Sequence, residues 1–173
     1  MKPTTRRSFL KTTGIAVAFP FVGKVLGANE KLNIGVVGVA GRGGGNLRGV
    51  AAVKESHIAA LCDVDQKNLT AAAKQFPDAQ RYRDFRKMLE QKDLDAVVCS
   101  TPDHTHAIVG VGALKSGRHL YCEKPLAHTV TEVRALTEAA AKHKRVTQMG
   151  NQIHSGSNYR RVVELVQGGA IGD

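Results

Sequence analysis

Five glycines fall within residues 36–47, VVGVAGRGGGNL, directly after an apolar run. Where a strand ends and a helix begins, such a loop presents unpaired main-chain N–H groups and the positive end of the helix dipole to an anion. The spacing of dinucleotide-binding loops, G-x-G-x-x-G, falls on Gly38, Ala40 and Gly43, so the second glycine is an alanine. We interpret the segment as a loop that binds a pyrophosphate. A flexible turn without a ligand is the alternative.

Two further features favour a bound dinucleotide. Within the loop, Gly41 keeps the turn pliable, and Arg42 offers a charge-assisted contact to phosphate. Asp63 stands twenty residues beyond Gly43, in the segment LCDVD at the predicted end of the second strand. An acid there accepts hydrogen bonds from both ribose hydroxyls and repels a 2'-phosphate, which favours NAD over NADP. Asp65 lies two residues further on and is the weaker candidate.

Two polar segments follow the fourth and fifth predicted strands, CSTPDHTH at residues 99–106 and YCEKPLAH at residues 121–128. With the glycine loop and the acid, they resemble the Gfo/Idh/MocA oxidoreductases, which are similar in a TPxxxH segment after strand four and an EKP segment after strand five. The four matches occur in order and cover nearly all of residues 29–173, and EKP is the most specific of them. The GNQ segment at residues 150–152 is similar to a subgroup of exported members.

The resemblance implies roles for five residues. Those that match Thr101, Pro102 and His106 line the nicotinamide side of the cofactor site, and the residue that matches Glu123 also contacts the cofactor. The lysine that matches Lys124 reaches the reacting carbon, where it hydrogen-bonds the substrate oxygen and takes part in proton transfer while hydride moves. An ammonium group suits this position because it stabilises the charge that changes on oxygen during hydride transfer.

Each of these segments also has a purely structural interpretation. Lys124 could be a solvated lysine in a turn, and His106 could simply begin a helix. Asp103 has the side chain of a helix cap, and we predict that it caps the following helix rather than acting as an acid. The sequence also permits a cis peptide bond between Lys124 and Pro125.

Cysteine and histidine residues occur together in the same two segments, at Cys99, His104, His106 and Cys122. Their softness and number would suit zinc, but their spacing matches no zinc pattern, and both cysteines sit in apolar strands where a small buried residue is ordinary. With Cys62 they form an odd set of three without C-x-x-C spacing. We therefore predict neither a metal site nor a disulfide framework.

The elements that position these residues alternate: apolar runs of strand length are separated by segments of helical period, which is typical of a parallel sheet covered on both faces. The predicted strands are Leu32 to Val37, His57 to Cys62, Arg81 to Tyr82, Ala96 to Ser100, His119 to Cys122 and Val146 to Met149. Beyond the helix after the glycine loop, the predicted helices are Leu69 to Gln75, Phe85 to Glu90, His106 to Lys115, Thr131 to His143 and Asn158 to Gln167. Thr129 with Glu132 has capping-box spacing, and Gly117 and Gly150 are predicted turn residues. The pattern predicts an α/β fold, a doubly wound parallel sheet of the Rossmann type in the strand order 3-2-1-4-5-6.

The first 28 residues carry five basic residues and no acid. TTRRSFLK at residues 4–11 sets paired arginines before an apolar stretch at residues 14–22, which is typical of a twin-arginine signal peptide. The stretch is shorter than the roughly 20 apolar residues that span a membrane, so we predict no stable membrane anchor. We expect residues 1–28 to direct export by the twin-arginine machinery to a bacterial periplasm or cell envelope, with cleavage after Ala28. A disordered basic tail is the alternative.

The composition is that of an ordinary globular domain, with 42% hydrophobic and 23% charged residues. The formal net charge of +10 falls to +5 when the five basic residues of the first 28 are left out. The remaining lysines and arginines are scattered rather than gathered on one stripe, so no nucleic-acid partner is predicted.

Residues 29–173 are predicted to form one dinucleotide-binding domain. The resemblance implies a second domain that binds substrate and through which such proteins assemble into homo-oligomers. We expect that domain to be absent from this chain, which would then bind NAD without turnover. The first hypothesis for function is an NAD-dependent dehydrogenase that acts on a sugar, a polyol or a related hydroxylated small molecule. The alternatives are an exported glycoside hydrolase of the same superfamily that uses NAD, and a non-catalytic nucleotide-binding domain.

Overall fold

The computed structural model describes residues 31–172, and the predicted signal peptide at residues 1–28 lies outside them. The strands are β1 Leu32–Val37, β2 Ser56–Cys62, β3 Gln80–Tyr82, β4 Ala96–Cys99, β5 His119–Glu123 and β6 Thr147–Gly150. All neighbouring pairs are parallel, and the sheet runs β3-β2-β1-β4-β5-β6. This order confirms the predicted doubly wound α/β fold, whose winding direction reverses between β1 and β4.

The helices of the described residues are α1 Gly41–Ala51, α2 Gln66–Gln75, α3 Phe85–Met88, α4 His106–Lys115, α5 Val130–His143 and α6 Ser157–Gln167. Their bounds agree with the predicted ones within three residues. The largest difference is at α2, which begins three residues before the predicted start because the Asp65 carboxylate accepts a hydrogen bond from the Lys67 N–H at 2.7 Å and caps the helix there. Helix α1 contains five glycines among its 11 residues.

The central strands β1, β2, β4 and β5 are buried on both faces, as is usual in parallel sheets. Successive residues of β1 serve opposite sides: Val36 belongs to the apolar cluster beneath α1 and α2, and Val37 to the cluster beneath α4 and α5. Leu47 of α1 and Leu69 of α2 also belong to the first cluster, and Leu136 of α5 belongs to the second. Burial on both faces explains why these strands appear in the sequence as continuous apolar runs. Within residues 31–172, no helix has both the length and the apolar character needed to cross a bilayer.

The predicted capping box and the two predicted turn residues are observed in the structure. The capping box of α5 is confirmed, because the Thr129 N–H donates to Glu132 Oε2 at 2.9 Å and the Glu132 N–H donates to Thr129 Oγ1 at 3.3 Å. Gly117 follows α4 with a φ of +88°, which confirms a turn there. Gly150 likewise closes its segment, and the Asn151 N–H donates to the Met149 carbonyl oxygen at 2.9 Å in a tight turn around it. Gly150 is the last residue of β6, and a Cβ atom there would lie 2.8 Å from the Glu123 carboxyl carbon, so its lack of a side chain allows close approach.

Candidate functional site

The carboxyl ends of β1, β2 and β4 open onto a cavity of about 640 Å³. In a doubly wound sheet, ligands bind at this edge, where the strand order reverses. Five of the predicted cofactor-binding residues line the cavity wall: Gly38, Ala40, Asp63, Thr101 and Pro102. The other predicted site residues lie on α1, at the start of α4 and at the end of β5.

The glycine loop packs against the chain that leaves β4. Gly38 has a φ of +82°, and a Cβ atom on it would lie 2.7 Å from the Ser100 carbonyl oxygen. A Cβ atom on Gly43 would overlap the carbonyl oxygen of Gly38 itself. Side chains are therefore excluded at the first and third positions of the fingerprint. At the second position, Ala40 adopts an extended conformation with a φ of −113°, which any residue accepts.

The first turn of α1 has the features of an anion site. Ala40 provides no side-chain cap for the helix, and the first turn, which begins at Gly41, contains no acidic residue. Its N–H groups and the helix dipole are therefore directed toward the space beyond the loop. A backbone cradle that excludes side chains at Gly38 and Gly43 and leaves helix donors uncapped fits a pyrophosphate.

Asp63 follows β2 and is held by main-chain donors. Its Oδ2 accepts a hydrogen bond from the Val39 N–H at 3.0 Å, and its Oδ1 accepts one from the Asp65 N–H at 2.9 Å. A carboxylate accepts about four hydrogen bonds, so acceptor capacity remains for ribose hydroxyls. Asp65 instead uses its side chain to cap α2. The geometry thus favours Asp63 over Asp65 as the acid that faces a nucleotide.

Glu123, at the end of β5, is a buried carboxylate with 5% of its surface exposed. Its Oε1 accepts hydrogen bonds from Arg42 Nε at 2.9 Å and from Asn46 Nδ2 at 2.8 Å, and its Oε2 accepts one from the Lys124 N–H at 3.2 Å. Burial alone would raise the pKa of Glu123, but the hydrogen bonds from Asn46, Arg42 and Lys124 outweigh it and hold that pKa below its ordinary value. In this structure the Arg42 guanidinium is thus paired with Glu123.

Lys124 follows Glu123 directly, and its side chain is exposed. The peptide bond between Lys124 and Pro125 is cis, as the sequence permits. Lys124 lies just beyond the carboxyl end of β5, the neighbour of β4, which Thr101 and Pro102 follow, and its backbone N–H is fixed by the Glu123 carboxylate.

The loops after β4 and β5 are joined by His106. This residue begins α4 and is 1% exposed. Its Nδ1 lies 2.7 Å from the Pro125 carbonyl oxygen, and its Nε2 lies 2.8 Å from the Thr101 carbonyl oxygen. Both ring nitrogens thus face the backbone beneath the two loops, and His106 does not line the cavity. The structural role proposed for it as the start of a helix is observed.

Asp103 does not cap α4. It begins a short 3₁₀ turn, Asp103–Thr105, and its Oδ1 accepts a hydrogen bond from the adjacent His104 N–H at 2.7 Å. Thr105 precedes α4 without a side-chain cap. The prediction failed because the turn inserted before the helix moves the cap position two residues along the chain. The Asp103 carboxylate also contacts His128 Nδ1 at 3.4 Å, and this contact leads the causes that hold the pKa of Asp103 below its ordinary value.

Cys99, His106 and Cys122 lie within 4.8 Å of one another, measured between their potential ligand atoms, and all three are buried. Both ring nitrogens of His106 face carbonyl oxygens, so neither nitrogen is directed at the sulfur atoms. The absence of a metal site remains a prediction. Interaction with the Cys99 thiol, and then burial, raise the pKa of Cys122. Burial raises the pKa of Cys62 to about 12.

Sequence reasoning missed two polar residues that connect the parts of the site. Asn46 donates to Ser100 Oγ at 2.9 Å and to Glu123 Oε1 at 2.8 Å, and the Ser100 N–H donates to the Val37 carbonyl oxygen at 2.8 Å. The one available signal is that Asn46 lies four residues after Arg42, on the same side of α1.

The fold and the edge of the sheet together define a class, the dinucleotide-binding Rossmann domains. Residues 32–151 match the GFO_IDH_MocA family, described as an oxidoreductase family with an NAD-binding Rossmann fold. The chain belongs to this family. The resemblance and the cofactor NAD predicted from the sequence are thereby confirmed at the level of the family.

Relatives of two kinds share this similarity. Inositol 2-dehydrogenase of Salmonella typhimurium is 31% identical over 144 residues, which cover 82% of this chain and 43% of that protein. A glycosyl hydrolase family 109 protein of Solibacter usitatus is 30% identical over 196 residues, which cover 100% of this chain and 44% of that protein. The chain thus spans less than half the length of these curated relatives.

Solved structures agree with the fold. Scyllo-inositol dehydrogenase from Lactobacillus casei, with bound cofactor NAD(H) and scyllo-inositol, superposes with a TM-score of 0.74 at 27% identity, covering 83% of this chain and 43% of that one. GenD2 from gentamicin A biosynthesis, in complex with NAD, gives a TM-score of 0.73 at 26% identity, covering 83% of this chain and 40% of that one.

Proposed function

We propose that this chain is the cofactor-binding domain of an NAD-dependent dehydrogenase that oxidises a sugar, a polyol or a related hydroxylated small molecule. One observation carries the proposal: three features lie at the same edge of the sheet. They are the close contact between Gly38 and Gly43, where no side chain fits, the Asp63 carboxylate and Lys124. The inositol dehydrogenases among the relatives support a polyol as substrate class.

Each group of residues around the cavity binds a different part of the cofactor. The first turn of α1 binds the pyrophosphate, with the loop from Gly38 to Gly43 as its cradle. Asp63 accepts hydrogen bonds from the adenosine ribose and disfavours a 2'-phosphate. Thr101 and Pro102 line the side of the cavity that adjoins β5 and contact the nicotinamide half. NAD, when bound, supplies the carbon that accepts a hydride.

Lys124 handles the proton at the substrate oxygen. Its neutral amine accepts the proton of the hydroxyl that is oxidised while hydride leaves the carbon bearing that oxygen, and the ammonium group so formed hydrogen-bonds the new carbonyl oxygen. Glu123 orients Lys124 by holding its N–H, and His106 orients the same loop through the Pro125 carbonyl oxygen. The catalytic step thus depends on one exposed lysine at a position fixed by buried neighbours.

A second candidate is a glycoside hydrolase that uses NAD without net consumption. It is favoured by the match to the family 109 protein, which covers 100% of this chain and so includes residues 1–30. The match to inositol 2-dehydrogenase covers 82% of the chain. In line with that match, we propose that residues 1–28 are a twin-arginine signal peptide for export to the periplasm or cell envelope. We also propose that the protein works as a homo-oligomer.

The test uses the product of the natural gene, purified and incubated with NAD and a panel of inositols, sugars and aryl glycosides. Absorbance at 340 nm measures net NADH, and chromatography measures free sugar. We expect NADH to form in step with an oxidised polyol, and Lys124→Ala to lower the rate by about 100-fold or more while NAD affinity is retained. Lys115→Ala, on the surface of α4, is the matched control.

The outcomes separate the candidates. Release of free sugar without net NADH would overturn the dehydrogenase in favour of the hydrolase. NAD binding without either product would leave a non-catalytic nucleotide-binding protein and overturn both enzymes. Equal rates for Lys124→Ala and the unmodified protein would remove Lys124 from the mechanism.

A further inference from the structure

Asn46 is a polar side chain on α1 to which neither the sequence motifs nor the comparisons assign a role. Its amide group has two N–H donors, and Nδ2 bonds to Ser100 Oγ at 2.9 Å and to Glu123 Oε1 at 2.8 Å. These acceptors follow β4 and end β5, which are neighbouring strands. One side chain thus connects the helix after the glycine loop to two strands of the other half of the sheet.

The Glu123 carboxylate extends this connection to Lys124. Its Oε1 receives the donors from α1, and its Oε2 receives the Lys124 N–H. The Cα of Gly150 closes a further side, since a Cβ atom there would lie 3.0 Å from Oε1. The carboxylate therefore has little freedom to turn, and a displacement of α1 is transmitted to the backbone of Lys124.

The two donors on α1 do not constrain Glu123 equally. The Arg42 side chain is 53% exposed, so water competes for its guanidinium and its long stem has many rotamers. Asn46 is half-buried, has a short side chain and is fixed at the same time by Ser100. Loss of the Asn46 donor would leave Oε1 of this buried carboxylate with the more exposed Arg42 guanidinium as its remaining donor.

We propose that Asn46 is a positioning residue that couples the pyrophosphate-binding turn of α1 to the backbone of Lys124 through the Glu123 carboxylate. The proposal rests on the function proposed above, because the coupling concerns the cofactor and the lysine. A pyrophosphate that draws the first turn of α1 toward the cavity thereby sets the position of Glu123, and with it the loop that carries Lys124.

The experiment measures NAD binding by calorimetry and the free energy of unfolding by urea, each across pH, for the full chain. Asn46→Ala should weaken NAD binding by about tenfold, since a hydrogen bond to a charged group is lost. Asn46→Ser, which keeps one donor, should lie between Asn46→Ala and the unmodified chain and serves if Asn46→Ala does not fold. Asn158→Ala, on the exposed α6, is the matched control and should change neither quantity.

Asn46→Asp gives a readout that a merely structural role would not produce. It places a second carboxylate beside Glu123, where Arg42 and Tyr121 are the other titratable groups in contact. One carboxyl must then hold a proton in the folded state, so stability should fall as the pH rises through roughly 4 to 6, whereas in the unmodified chain the Glu123 contribution is lost as the pH falls. Asn158→Asp should follow the unmodified chain.

The results distinguish this inference from the proposed function. If the unmodified chain binds no NAD, the proposed function is overturned. If it binds NAD and Asn46→Asp keeps the pH dependence of the unmodified chain, or Asn46→Ala and Asn46→Ser bind NAD with unchanged affinity, the coupling through Asn46 is overturned.

Discussion

Asp63 orders the backbone around the cavity and, in the proposed function, also binds the cofactor. Its two carboxylate oxygens hold the N–H groups of Val39 in the glycine loop and of Asp65 before α2. The side chain is therefore oriented before any ligand arrives, which lowers the entropic cost of binding. In the proposed function, a ribose that reaches Asp63 encounters an acceptor that needs no rearrangement.

Asp63→Asn tests this dual role. An amide has one acceptor oxygen, so its NH₂ group must face one of the two main-chain donors, and the repulsion of a 2'-phosphate is lost. We expect NAD affinity to fall by about tenfold and the preference for NAD over NADP to narrow. Calorimetry with both cofactors measures this, with Asp78→Asn in an exposed turn as the control. Unchanged affinity for both cofactors would contradict the assignment of Asp63.

Glu123 makes stability depend on pH in a defined direction. Its pKa lies below the ordinary value of about 4.3 for glutamate in the unfolded chain, so its contribution to stability is present above that value and is lost as the pH falls through the folded-state pKa. Glu123→Gln removes the titrating group. Urea unfolding between about pH 6 and pH 3 should then show a smaller acid-induced loss of stability than in the unmodified chain.

The exposed Glu138, on α5, provides the control for this measurement. Glu138→Gln should follow the pH dependence of the unmodified chain, because that carboxyl has no partner among the hydrogen bonds of the buried network. Identical acid dependence for Glu123→Gln and Glu138→Gln would show that the buried network does not stabilise the carboxylate.

At the scale of the element, the close contact between the glycine loop and α1, where Gly43 meets the Gly38 carbonyl oxygen, decides which side chains the helix accepts. A Cβ atom on Gly43 overlaps the Gly38 carbonyl oxygen, whereas a Cβ atom on Gly45 has no atom within 4 Å. Two glycines in one helix thus have opposite requirements. The first allows two backbone segments to touch, and the second only lowers helix propensity.

Gly43→Ala should lower the free energy of unfolding by about 1–3 kcal/mol, because overlap with a main-chain atom forces the loop and the helix apart. Gly45→Ala should raise it by about 0.5–1 kcal/mol, because alanine favours the helix and meets no neighbour. Urea unfolding of the two variants measures both effects. A pair of variants with equal stability would show that the close contact between the loop and α1 is looser than described.

The strands and helices were predictable because their signals are local. Apolar runs predicted all six strands within one residue or so, and Thr129 with Glu132 fixed the start of α5 from a spacing of three residues. The connection between Asn46 and Glu123 was not predictable, since it joins residues 77 apart in sequence and depends on how α1 lies against the sheet. The contacts of the His106 ring were not predictable for the same reason, because the carbonyl groups it faces lie on two separate loops.

At the scale of the whole molecule, a ligand that binds only the folded chain must stabilise it. At a free NAD concentration of about 100 times the dissociation constant, mass action adds about 2.7 kcal/mol. For a domain of this size we expect a rise in melting temperature of roughly 5–10 °C. Thermal unfolding with NAD, and with adenosine as a control that lacks the pyrophosphate, measures it. A rise with adenosine equal to that with NAD would contradict a role for the helix N-terminus.

The five glycines of α1 have a consequence for how easily this helix opens. Each glycine disfavours a helix by about 0.8–1.0 kcal/mol relative to alanine, so α1 is held mainly by its neighbours, among them Leu47 in the apolar cluster and Asn46 at the strand ends. Its amide protons should exchange with deuterated solvent sooner than those of α5, and an occupied phosphate cradle should slow that exchange. In the proposed function, the segment that binds the coenzyme would then also be a weakly held part of the domain, and binding would complete its folding.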